Sequence, residues 1–251
     1  MHDRTVKLVL EYDGTEFSGW QVQPGERTVQ GVLEAALAGL CGVPVEATAA
    51  GRTDAGVHAL GQVAHARIAV ALGAGRVAAA LNARLPRDVR VRSVADAPDG
   101  FHARFDATSR SYLYLMGMQE SPIWRLRRWH LRGAVDRDAM ERAVPAFRGE
   151  RDFGSFALAG GSAAHDRCDI RRMSLEWEPR FGGMLVLRVE ANRFLRGMVR
   201  SIVGTLAEVG RGRVAPEEIP AIIEARDRGR AGPTAPPWGL YLESVAYGEE
   251  G

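Results

Sequence analysis

Gly51-Arg52-Thr53-Asp54-Ala55-Gly56 sets a guanidinium and a carboxylate two residues apart between glycines, then runs into a largely small and apolar stretch ending at Ile68. Two chemistries fit these residue types. The glycines can shape a turn in which Asp54 caps the following segment through a side-chain oxygen. Alternatively, a tight loop presents both groups to a cleft, and the Arg52 guanidinium holds Asp54 ionised, as a carboxylate nucleophile requires. As a bare string, the hexapeptide favours the capped turn.

Three other sets of residues could carry chemistry. Arg193, Arg196 and Arg200 are spaced by three and four, so a helix would align them on one stripe. Arg196 reads as part of a solvated basic face. Arg200, nearer the middle of that helix, could be held against a neighbouring domain and partner a carboxylate. In Arg110-Ser111-Tyr112-Leu113-Tyr114, two tyrosines share one side of a strand, which suits either sheet packing or a ring that stacks on a base. His58, His65 and His102 are scattered without a Ser or Cys partner, so no hydrolytic triad is suggested. The Gly-rich stretches at 159–161 and 182–183 match neither a phosphate loop nor a dinucleotide fingerprint.

Periodicity supplies the elements that must position these groups. Val6, Leu8, Leu10 and Tyr12 alternate as one face of a strand, followed by a turn at Asp13-Gly14-Thr15 and a loop from Phe17 to Pro24. Thr28 can cap a helix whose Val29, Val32, Leu33, Ala36, Leu37 and Leu40 share a face, with Gly42 to Pro44 ending it. Strands are expected at 62–68 and 89–94, with a helical stretch at 77–85 between them. A second set follows Arg110. It comprises a strand at 111–117, a helix capped by Asp136, a strand at 185–191, a strongly amphipathic helix at 194–209, a short helix near 216–228 and a strand at 240–247. The expected fold class is α+β. Two related α/β-sandwich halves, residues 1–105 and 106–251, would each carry a mostly antiparallel or mixed sheet with helices on one face. No Pro/Gly/Ser linker marks their joint, so the halves should pack tightly, with a cleft between them as the natural ligand site.

Composition narrows the function classes. The chain has 251 residues, 46% hydrophobic and 25% charged, the balance of a soluble globular protein. The start, Met1-His2-Asp3-Arg4, leads straight into a strand-like segment without a visible signal peptide, and no apolar run approaches a membrane span. A cytoplasmic location is therefore expected. Cys41 and Cys168 lie far apart, and His165-x-x-Cys168 is the nearest approach to a ligand pair, so no metal site is expected. A net charge of +2 hides a bias: of 33 basic residues only Lys7 is a lysine, which leaves 32 arginines. Arginine suits phosphates and base edges, although a genome favouring Arg would explain much of the count.

Seven stretches in order carry a resemblance across nearly the whole chain: "YDGTEFSGWQVQP", "RTVQGVLEAAL", "AGRTDAGVHALGQVAH", "LNARLPRDV", "FHARFDATSRSYLY", "ANRFLRGMVRSIVG" and "PPWGLYLESVAY". Together they resemble the tRNA pseudouridine synthase A family, and "GRTDAGVHA" is highly specific to it. The resemblance implies two related sandwich halves, a homodimer whose basic surfaces cradle tRNA, and no metal or cofactor. It implies isomerisation of uridine to pseudouridine on the 3′ side of the anticodon arm. It makes Asp54 the catalytic aspartate, Tyr112 the ring against the target base, Arg200 the ion-pair partner of Asp54, and Arg52 the group that helps draw the uridine out of its helix. Residues 158–167 are richer in Gly and Ala than this family tends to be, which bears on loop contacts to tRNA. A non-catalytic RNA-binding module and a hydrolytic N-glycosidase are the competing classes. The intact Arg52/Asp54/Tyr112/Arg200 set disfavours the first, and the lack of a second carboxylate to activate water disfavours the second.

Overall fold

The computed structural model describes residues 3–160, 165–180 and 182–248. The Gly/Ala-rich stretch singled out above therefore falls partly outside the described residues, at 161–164. The chain is α+β and divides into two compact units, Met1–Thr108 with Tyr241–Gly251, and Ser109–Leu240. The expected division at residues 105 and 106 places the last strand in the second half. It is counted with the first unit, where Tyr241 and Leu242 pair in parallel with His58 and Ala59.

In the first unit, β1 (Arg4–Tyr12) lies antiparallel between β3 (His58–Ile68) and β4 (Val89–Asp96). The short β2 (Ala47–Ala49) also pairs with β3, and β10 (Leu240–Tyr247) adds the parallel contact. Val6, Leu8 and Leu10 are fully buried and Tyr12 nearly so, because the period of two turns every second β1 side chain into the core. Helix α1 (Val29–Cys41) starts where Thr28 accepts a hydrogen bond from the Gly31 N–H and stops at a left-handed Gly42. Val29, Leu33, Ala36 and Leu37 are buried, whereas Val32 and Leu40 sit at the half-buried margin of the face. Helix α2 (Ala74–Asn82) packs on β4 and on α1.

In the second unit, β5 (Ala107–Gly117) pairs antiparallel with β9 (Met184–Ala191), which pairs with β8 (Arg167–Glu178), which pairs with β7 (Gly149–Asp152). The two-residue β6 (Trp129–His130) runs parallel to β5. Helix α3 (Arg137–Ala143) is capped by Asp136, whose side chain accepts from the Ala139 N–H, and packs on α4 (Met198–Gly210). Helix α5 (Ile219–Ala225) follows a turn begun by Pro216. The amphipathic helix begins four residues later than its apolar spacing predicts, because Gly197 is left-handed at φ 69° and breaks the run. Arg193 and Arg196 therefore precede the helix and share no helical stripe with Arg200. Among the described residues, no helix is long and apolar enough to cross a membrane.

Candidate active site

The Gly51–Gly56 loop joins β2 to β3, and the segment after β1 frames it. Tyr12 ends β1 with its hydroxyl 2.7 Å from the Thr53 Oγ1. Gln62, fully buried on β3, donates from Nε2 to the Gly51 carbonyl at 2.8 Å and to the Tyr12 hydroxyl at 3.4 Å. Burial pushes the Tyr12 phenol up to about 12, against the pull of those hydrogen bonds, so it stays neutral. Backbone bonds complete the frame: Trp20 N–H donates to the Thr53 carbonyl at 3.0 Å and Gly56 N–H to the Phe17 carbonyl at 3.3 Å. The approach is close enough that a Cβ on Gly14 would sit 2.0 Å from the Val57 carbonyl oxygen. "YDGTEFSGW" and "GRTDAG" are thus two sides of one packed joint.

This frame decides what the loop exposes. Thr53 is 6% exposed and spent on the Tyr12 bond. Its neighbours lie nearer the surface, with Arg52 exposed and Asp54 half-buried. The loop closes through its backbone, with Val57 N–H donating to the Asp54 carbonyl at 3.1 Å. Of the two glycines, Gly56 is the one the turn requires, at φ 76°. Gly51 has no left-handed φ, and nothing lies within 4 Å of where its Cβ would be. His58, just past the loop, is buried. It accepts from the Gly14 N–H at Nδ1 (3.0 Å), lies 3.2 Å from the Asp13 Oδ1, and stacks on Tyr241 with ring centroids 4.6 Å apart.

Tyr112 and Arg200 belong to the second unit. The same-side tyrosines of β5 do different work. Tyr114 is fully buried, and its hydroxyl donates to the Pro236 carbonyl at 2.7 Å. Burial pushes its phenol well above the ordinary value. Tyr112 is half-buried and meets Phe194 edge-on, with centroids 5.1 Å apart and planes at 86°. Arg200, half-buried in the first turn of α4, is pinned by a reciprocal pair of bonds. Its Nε donates to the Ala235 carbonyl at 2.7 Å, and the Ala235 N–H donates to the Arg200 carbonyl at 3.0 Å.

Sequence reasoning picked out Arg52, Asp54, Tyr112 and Arg200 but missed Thr53, Gln62, Trp20 and Phe194 as their supports. The signal for Tyr12 was present in its inward place on β1. The others have none, because their partners are distant in sequence. Among the described residues, no group of three or more His, Cys, Asp and Glu side chains could hold a metal ion. Burial raises the Cys168 thiol to about 11, which keeps it a neutral packing residue.

Comparison with known proteins agrees with the motif order. A family model described as tRNA pseudouridine synthase matches residues 8–106 and 143–248. A tRNA pseudouridine synthase A from Geobacter sulfurreducens is 46% identical over 246 residues, covering 97% of this chain and 100% of the relative. One from Geotalea uraniireducens is 43% identical over the same length and coverage. One from Lysinibacillus sphaericus is 42% identical over 248 residues, again covering 97% of this chain and all of the relative. The family model takes in the framed loop and α4 and leaves out β5, which the near-full-length relatives span, and this chain belongs to the tRNA pseudouridine synthase family.

Proposed function

We propose that this protein isomerises uridine to pseudouridine in tRNA, on the 3′ side of the anticodon arm, with Asp54 as nucleophile. The observation that carries the reading is an accessible carboxylate on a loop whose neighbouring residue, Thr53, is locked into the core by Tyr12. A nucleophile must be reachable yet held in place, and that frame meets both needs.

The chemistry follows from the residue types. The Asp54 carboxylate adds either to C6 of the base or to C1′ of the ribose, and the N1–C1′ bond breaks. The uracil turns, C5 bonds to C1′, C5 gives up its proton, N1 gains one, and the carboxylate leaves unchanged. Every substrate atom is returned to the product, so the reaction consumes no water and needs no cofactor. The target nucleotide must leave its stack at a cost of a few kcal/mol. Stacking on Tyr112 and insertion of Arg52 offset that cost, and Arg200 serves as the ion-pair partner of Asp54. Family membership supports these roles, as do the half-buried Tyr112 ring and the pinned Arg200 side chain. The enzyme works as a cytoplasmic homodimer with basic surfaces toward tRNA.

The test is incubation with unmodified tRNA followed by chemical mapping of pseudouridine. New pseudouridine confined to the 3′ side of the anticodon arm is expected. An unchanged tRNA, or modification elsewhere, contradicts the proposal.

A further inference from the structure

The segment after β5 lines a half-open cleft of about 570 Å³ within the second unit, a size typical of small-ligand sites. Three of the chain's five tryptophans line it: Trp124, Trp129 and Trp238. Among the described residues, four arginines line it as well, against Glu120 as the one carboxylate in the wall. Neither Tyr112 nor Arg200 takes part.

The walls are held by ordinary structure, so the cleft is built in advance of any ligand. Trp129 lies on β6, which is paired to β5 at Met116. Trp238 lies in the turn Pro237–Gly239, where a Cβ on Gly239 would come within 2.7 Å of the Tyr114 ring. Arg211, at the end of α4, sets its guanidinium 5.7 Å from the Trp129 ring centre while bonding Glu208 at 2.8 Å. Arg128 is 3% exposed, donates from Nη2 to the Gln119 carbonyl at 3.0 Å, and sits 5.7 Å from the Trp124 ring centre. Burial lowers its pKa from the ordinary value, so an anion brought alongside is favoured.

Indole faces and guanidinium forks in one concave wall select a ligand that is flat at one end and anionic at the other. We propose that this cleft binds a single nucleotide, with its base stacked on a tryptophan and its phosphate met by the arginines. The nucleotide comes either from the RNA substrate, at a position other than the reacting uridine, or from free mononucleotide. The first source rests on the tRNA reading above.

The three wall indoles make the site directly readable. Tryptophan fluorescence of the full chain, excited at the red edge, is titrated with AMP for the wild type, Trp124→Ala and an Arg125→Ala/Arg132→Ala double variant. The double variant alters exposed side chains and so is the safer one for folding. Saturable quenching is expected, weakened about fivefold or more in both variants, the scale of one lost base stack. In parallel, KM and kcat are measured with unmodified tRNA. A KM raised by a similar factor at constant kcat identifies the RNA as the source, whereas an unchanged KM identifies free nucleotide. Absent quenching, or equal quenching in wild type and variants, overturns the proposal. So does a variant that changes only the oligomeric state, which would make the cleft a self-association surface. If wild type leaves tRNA unmodified while AMP quenching persists, the proposed function fails and the nucleotide site stands.

Discussion

Asp54 owes its position to a side chain it does not touch in sequence. Thr53 turns inward to Tyr12, and its neighbours Arg52 and Asp54 are left nearer the surface. Tyr12→Phe removes a buried hydroxyl that meets both Thr53 and Gln62. It should cost about 1 kcal/mol of stability and lower kcat while leaving tRNA affinity in place. A thermal melt and a steady-state assay check this, and an unchanged kcat would mean the loop needs no such anchor. The same hydroxyl gives a pH signature. Its folded pKa of about 12 lies above the ordinary 10.0, so the folded state holds this proton more tightly. Its contribution is complete below pH 10 and fades as pH rises toward about 12, by at most about 3 kcal/mol. Tyr114 is shifted the same way by burial. Melts between pH 8 and about 11 should therefore show the wild type losing stability with rising pH, and Tyr12→Phe losing less of it.

At the scale of elements, the loop is a joint between two motifs, and its glycines are not equivalent. Gly56→Ala forces a side chain into a left-handed turn, at a cost of about 1–2 kcal/mol, which should lower Tm by a few degrees. Gly51→Ala meets no such obstacle and should leave Tm unchanged. Equal effects would refute the assignment of the turn to Gly56. The sequence made some elements legible and hid others for physical reasons. The alternation of β1, the Thr28 and Asp136 caps and the last strand could be read directly because each signal is local. The twelve-residue β8 could not. A bulge between Ile170 and Arg172 shifts its buried set from Cys168 and Ile170 to Met173 and Leu175, so the period of two breaks midway. The start of α4 was misread because Phe194 and Leu195 continue an apolar spacing that Gly197 interrupts. Asp54 and Arg52 stood out through a specific motif. The Tyr12–Thr53–Gln62 network did not, since Tyr12 bonds residues 41 and 50 positions away.

At the scale of the whole molecule, a net charge of +2 conceals 33 basic residues, nearly all arginine. Arginine contacts to phosphate release counterions, so tRNA affinity should fall by more than about tenfold between 50 and 200 mM salt. A filter-binding series checks this, and a flat response would count against a basic surface as the tRNA site. Arg52 and Asp54 belong to the first unit, and Tyr112 and Arg200 to the second. The whole account turns on Asp54 as the nucleophile, and one paired measurement addresses it. Asp54→Ala and wild type are given the same unmodified tRNA, with binding and pseudouridine formation read side by side. The account predicts that the variant binds tRNA with near wild-type affinity and forms no pseudouridine. A variant that produces the same pseudouridine map as wild type would contradict it.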